Sequence, residues 1–206
     1  MTEPLVPTVL RGNERTEKRT HQDSCMPRLL QIAQLGNPIL RQRASDVAEP
    51  SNPDIRELIE DMLLTMADSN GVGIAAPQVY VGKRVFIVAS KSNSRYPKAP
   101  EMDPIVMINP EITWESDETC DGWEGCLSIP GIRALVPRHK EIRIAYTTLD
   151  GTPTEQRYTD FVARVFQHEY DHLEGLSFLD RVRSTKNIVT EKEWMRKAEE
   201  RVKIQE

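Results

Sequence analysis

Gln167-His168-Glu169-Tyr170-Asp171-His172-Leu173-Glu174-Gly175 is the stretch around which the chain is best read. His168 and His172 stand one helical turn apart, and residues at i and i+4 share a helix face with Cβ atoms about 5–6 Å apart. Two imidazoles so placed grip one cation, while Glu169, beside the first, reaches the water that such a cation binds. The flanks support a helix. Asp160 is positioned to cap it, and Phe161, Val162, Val165, Phe166 and Leu173 follow a period of roughly 3.6 residues. Gly175 is positioned to end it in the left-handed conformation. A partly buried helix carrying two histidines and a carboxylate therefore forms the centre from which the rest of the fold is read.

Composition sets the outer bounds. The 206 residues suit one sizeable domain with short appendages. A formal charge of −5 leaves no basic excess to neutralise phosphates, which argues against a DNA-binding role. Residues 1–10 show no positive n-region followed by an apolar stretch, and no segment approaches the roughly 18 apolar residues that span a bilayer. The expectation is a cytoplasmic enzyme of bacterial type with no membrane partner, an organelle remaining open if the source is eukaryotic. Cys25, Cys120 and Cys126 form no secreted disulfide framework, so in a reducing compartment one of them is expected to serve a metal or catalysis.

Working outward from the central helix, residues 1–27 are polar, with Arg11, Glu14, Arg15, Glu17, Lys18 and Arg19 and no apolar periodicity, and are expected to form a flexible extension. A helix begins at Asn52-Pro53, carries Ile55, Leu58, Ile59, Met62, Leu63 and Met66 on one stripe, and ends near Asn70-Gly71. Strands are expected at Arg84–Ala89, Ile105–Ile108, Ile112–Trp114, Ile142–Tyr146 and Glu155–Tyr158, the last two joined by the Leu149-Asp150-Gly151-Thr152 turn. Thr190 and Glu193 form a capping box for a C-terminal helix bearing Trp194, Ala198 and Val202. The expected fold is α+β: short, mainly antiparallel strands packed around a central metal-binding helix, with a C-terminal helix. Residues 28–183 would form the catalytic domain, and residues 184–206 the C-terminal helix packed on it or extending from it.

Two histidines leave a catalytic centre one protein ligand short, since such sites hold three protein ligands and one open position. The metalloprotease class that continues His-Glu-x-x-His-x-x-Gly-x-x-His is ruled out by Phe178 at the last position. Glu191 or Glu193 falls where another protease class takes a glutamate from a downstream helix. Cys126, in Trp123-Glu124-Gly125-Cys126-Leu127-Ser128, and Cys120, beside Asp121-Gly122, are the thiol candidates. A closed structural site, with a fourth protein ligand and no chemistry, is the reading from outside the enzymes.

Three stretches together resemble the peptide deformylase family. They are Gly71-Val72-Gly73-Ile74-Ala75-Ala76-Pro77-Gln78, Glu124-Gly125-Cys126-Leu127-Ser128 and Gln167-His168-Glu169-Tyr170-Asp171-His172, in the family's order and without a gap. The resemblance covers roughly residues 28–180 and includes Ile129-Pro130-Gly131; the long leader before Pro27 has no counterpart in it.

That resemblance implies a hydrolase that removes the N-formyl group from the initiator formyl-methionine of nascent chains and releases formate. It implies Cys126, His168 and His172 as metal ligands, with Cys25 and Cys120 as non-ligands. Metal-bound water would attack the formyl carbon with Glu169 as general acid and base. The side-chain amide of Gln78 and the backbone N–H of Leu127 would steady the oxyanion. Gly71, Val72, Gly73, Gly125 and Val165 would bind substrate, with Val72, Leu127 and Val165 as candidates for a methionine pocket. Apart from the resemblance, Asp171 on the central helix is a candidate to accept a hydrogen bond that supports the ligands. Ferrous iron is the implied metal in the cell, although Zn2+, Ni2+ or Co2+ in purified protein follows from their tighter binding. Iron beside a thiolate predicts activity lost in air. The locally basic segment from Arg181 to Lys203 suggests transient contact with ribosomal RNA.

Overall fold

Asn52 starts the first helix, α1 (Pro53–Asp68), by accepting a hydrogen bond from the Asp54 N–H at 2.8 Å through its side-chain oxygen, with Pro53 in the first turn. The structure is a computed structural model that describes residues 26–92, 95–97 and 99–197. Most of the expected N-terminal extension and the end of the expected C-terminal helix, Ala198 and Val202 included, lie outside the described residues. The strands are β1 (Gly73–Ala75), β2 (Val85–Ser90), β3 (Met102–Glu115), β4 (Thr119–Cys126), β5 (Ile129–His139), β6 (Glu141–Thr147), β7 (Pro153–Thr159) and β8 (Ile188–Thr190). The central helix α2 spans Asp160–Leu173, and residues 191–197 form a third helix, α3. The order β1-β2-β3-β6-β7 makes a five-stranded sheet and β4-β5-β8 a three-stranded one, all strand pairs antiparallel. The fold is α+β.

The five-stranded sheet is buried on both faces around β2, which explains the unbroken apolar run of that strand. Phe86 and Val88 join Met107, Ile142 and Ile144 against Val165, Phe166 and Leu173 of α2. Val85 and Ile87 point the other way, joining Ile74 and Ile108 against Ile59, Met62 and Met66 of α1. Each large apolar side chain so buried contributes about 1.5–3 kcal/mol, and the Phe86–Phe166 edge-to-face pair at 5.0 Å locks α2 to the sheet. The opposite face of α2 is thereby turned toward the β4–β5 hairpin.

Two expectations need correction. Ile105–Ile108 and Ile112–Trp114 lie in one strand, β3, because Asn109 takes a positive φ of 49° and the register shifts past Pro110. A proline is tolerated at such a bulge, and the Asn109 side chain fixes it by bonding the N–H and the carbonyl of Val47 at 2.8 and 2.9 Å. Asp160 does not cap α2: Thr159 occupies the cap position, and Asp160 is the first helical residue with φ 51°. Its N–H donates to the Lys140 carbonyl at 2.7 Å. Cys126 ends β4, a strand that was not among those expected, and β4 and β5 form a hairpin turning at Leu127-Ser128.

The remaining ends follow their sequence signals. Gly175 adopts φ 72° and closes α2, with the Leu176 N–H donating to the Asp171 carbonyl at 2.9 Å. The Thr190 hydroxyl accepts from the Glu193 N–H at 3.3 Å, one half of the expected capping box, while the Glu193 carboxylate pairs with Arg196. The segment before α1 bridges two site-bearing pieces: the Ala33 N–H donates to the Gln78 carbonyl, and the Leu35 N–H to the Ser128 carbonyl, both at 2.8 Å.

Candidate active site

One face of α2 presents His168, Glu169 and His172, all buried. The tip of the β4–β5 hairpin brings Cys126 to them, its Sγ 3.2 Å from His172 Nε2. The ligand atoms of Cys126, His168 and His172 all lie within 4.8 Å of one another, the geometry of a mononuclear metal centre. Cys120 does not join them; its carbonyl accepts from Arg164 at 2.7 Å. Glu191 and Glu193, the alternative third ligands, are engaged elsewhere, with Arg133 at 2.6 Å and Arg196 at 2.9 Å. Among the described residues this is the sole group of three or more such side chains gathered for a metal.

The electrostatics favour a cation. Burial would push the Cys126 thiol up, but the charges and hydrogen bonds of His172 and His168 outweigh it and hold the thiol well below its usual value. A thiolate is the form that binds metal. His168 Nδ1 meets Glu124 Oε2 at 2.9 Å, which orients the ring and leaves Nε2 for the metal. Glu124 is itself gripped by Arg138 at 2.9 and 3.0 Å and by Arg164 at 2.9 Å. Arg138 continues to Asp171 at 2.6 Å, and Arg181 closes on Asp171 at 2.6 Å. Asp171 is thus a buried member of this chain of charges, as the support role expects. Glu124, Arg138 and Arg164 went unrecognised as parts of it in the sequence, since single charged residues in strands and on a helix read as surface.

Glu169 differs from the other carboxylates. Burial pushes it up to about 7, the imidazoles of His168 and His172 only partly opposing this. Its Oε2 is buried without a hydrogen-bond partner among the described residues, as expected of a group kept for a reacting molecule. The side chain lies against Gly73, where a methyl group would fall 2.8 Å from Glu169 Cγ and Cδ. Gly73 therefore makes room for the carboxylate, a use that its sequence context did not reveal.

Gln78 sits in a short 3-10 turn after β1. Its Oε1 accepts from the Ala75 N–H at 2.8 Å, which settles the amide orientation and directs Nε2 to Cys126 Sγ and Ser128 Oγ, each 3.3 Å away. A cleft of about 210 Å³ opens over this group and is lined by Gly71, Val72, Gly73, Gln78, Gly125, Cys126, Leu127, Val165, His168 and Glu169. The catalytic, ligand and substrate-binding residues expected from the sequence all lie on it except His172, which, like the supporting Asp171, is 2 % exposed and off its lining. Tyr96, Arg133 and Phe161 also line it and were not anticipated, and Glu191 lines it without being a ligand. Phe178, where a protease would carry its third histidine, stacks on His168 at 5.9 Å and 20°.

Comparison with known proteins agrees with this geometry. The family described as polypeptide deformylase matches residues 29–188. Peptide deformylase 2 of Nostoc sp. is 56% identical over 168 residues, 82% of this chain and 94% of that protein. A class I type b peptide deformylase from Acinetobacter baumannii, solved with Met-Ala-Ser bound, superposes with a TM-score of 0.75 at 46% identity, covering 76% of this chain and all of that one. A peptide deformylase from Thermotoga maritima superposes at 0.67 with 36% identity, over 76% of this chain and 99% of its own.

Proposed function

The chain belongs to the polypeptide deformylase family, and from that premise we propose how its own residues carry out the family's reaction. The enzyme is a metal-dependent hydrolase that removes the N-formyl group from newly made polypeptides. Cys126, His168 and His172 hold its metal, and the observation that carries this reading is their convergence beside a partnerless buried carboxylate and an oriented amide. One thiolate and two neutral imidazoles suit a divalent cation and leave it net positive. Such a cation, when bound, supplies Lewis acidity to the formyl carbonyl and acidifies water. Ferrous iron is the proposed species in the cell; zinc, nickel or cobalt would outcompete it in vitro.

The chain's own groups divide the work. Glu169 takes a proton from the attacking water as the new C–O bond forms at the formyl carbon. It returns that proton to the amine as the C–N bond breaks, so that formate and a free α-amino group leave. Gln78 Nε2 donates to the developing oxyanion, its direction fixed in advance by the Ala75 N–H. The Leu127 N–H, at the head of the hairpin turn, is the second donor. Gly71 and Val72 lead into Gly73, the first residue of β1, the terminal strand of the five-stranded sheet, whose outer edge pairs with substrate main chain by strand addition. Val72, Leu127 and Val165 receive the methionine side chain, and Gly125 forms part of the opposite wall.

No helix among the described residues is long and apolar enough to cross a membrane. The proposed setting is the cytoplasm of a bacterial-type cell, and contact of the C-terminal basic segment with the ribosome would bring the cleft near emerging chains. The ligand assignment is tested by Cys126→Ala. This variant should lose both its metal, by elemental analysis, and its turnover of formyl-Met-Ala-Ser. Retention of both would remove Cys126 from the centre.

A further inference from the structure

Arg133 is the unexplained cation of the cleft. It is 3 % exposed, lines the cavity, and packs so closely over Gly125 that a methyl group there would fall 2.6 Å from its Cζ. The guanidinium therefore rests on the backbone immediately before the ligand Cys126. Its restraints come from two sides. Glu191 Oε1 accepts from Nη2 at 2.6 Å and from Nε at 3.2 Å, and the Tyr96 hydroxyl accepts from Nη1 at 3.1 Å. The Trp194 ring lies 5.1 Å from Cζ and the Tyr96 ring 5.9 Å. Glu191 and Trp194 both belong to α3, anchored by β8, whose Val189 pairs with Arg133 itself.

We propose that α3 is the outer wall of the peptide cleft, and that Glu191 and Trp194 are positioning residues that aim Arg133 at the main chain of residues following the formyl-methionine. A guanidinium has five N–H groups, and among the described residues the bonds to Glu191 and Tyr96 occupy three of them. The remaining two, on a buried side chain in the cleft, are donors for peptide carbonyls. The Glu191 carboxylate offsets the charge, so the wall reads backbone and tolerates any side chain beyond the methionine. The inference rests on the formyl-peptide reading of the cleft but concerns substrate length, which the metal centre alone does not set.

The test compares the metal-loaded full chain with Glu191→Gln and Trp194→Ala on formyl-Met amide and formyl-Met-Ala-Ser amide. Each variant should lower kcat/KM for the tripeptide about five-fold more than for the single residue, the loss of roughly one net hydrogen bond. The change should fall in KM, with partial recovery in Glu191→Asp. Calorimetric binding of Met-Ala-Ser relative to methionine amide should show the same selective loss. An equal effect on short and long substrates, or no effect on either, overturns the proposal. Failure of the unaltered protein to release formate would instead strike the catalytic reading, and the binding ratio would still decide the role of α3.

Discussion

At the scale of single residues, the site separates two carboxylates by their surroundings. Glu124 is held by Arg138, Arg164 and His168 and stays charged, whereas Glu169, buried with an unpartnered oxygen, is pushed up to about 7. A bound cation acts against that rise, because positive charge favours the ionised form. The base form is the one the reaction needs, so activity is present above the Glu169 value and lost as pH falls through it. A profile of kcat/KM against pH should therefore show an acid limb at or below about 7. A limb far above 7 would mean that another group serves as the base.

At the scale of elements, the histidine turn, α1, the β6–β7 hairpin, the C-terminal end of α2 and the start of α3 were legible in the sequence because each rests on local signals: Asn52-Pro53, the apolar stripes, Asp150-Gly151, Gly175 and Thr190. The hairpin that delivers Cys126 was not. Thr119-Cys120-Asp121-Gly122-Trp123-Glu124-Gly125-Cys126 lacks an apolar alternation since its buried face carries Glu124 and packs on arginines. Only the resemblance singled out Cys126 over Cys120. Long-range pairs such as Glu124–Arg138 and Arg133–Glu191 likewise leave no periodic trace. The role of Gly73 is a further case, and it yields a test. Gly73→Ala should push the Glu169 carboxylate from its place and cut kcat by about ten-fold or more, while metal content by elemental analysis is retained. Unimpaired turnover would show that Glu169 has room to move without cost.

At the scale of the whole molecule, the charge chain Arg181–Asp171–Arg138–Glu124–His168 ties the turn after α2, the hairpin and the metal face of α2 together. Burial alone would raise Glu124, but Arg138 and His168 outweigh it and hold it well below the ordinary carboxylate range. A depressed folded value gives stability that is full above the unfolded value of about 4.3 and is lost as pH falls toward the folded one. The urea midpoint of the metal-free chain should accordingly drop on acidification below about pH 4, and Glu124→Gln should flatten that dependence. An unchanged slope would assign acid sensitivity to other groups. The central claim, that this framework serves formyl hydrolysis at one metal centre, meets its most direct test in formate release. Anaerobically iron-loaded protein with formyl-Met-Ala-Ser should yield stoichiometric formate and free Met-Ala-Ser, at a rate reduced about 10²–10⁴-fold in Glu169→Ala with the metal still bound. No formate from the loaded protein, or equal release by Glu169→Ala, would contradict it.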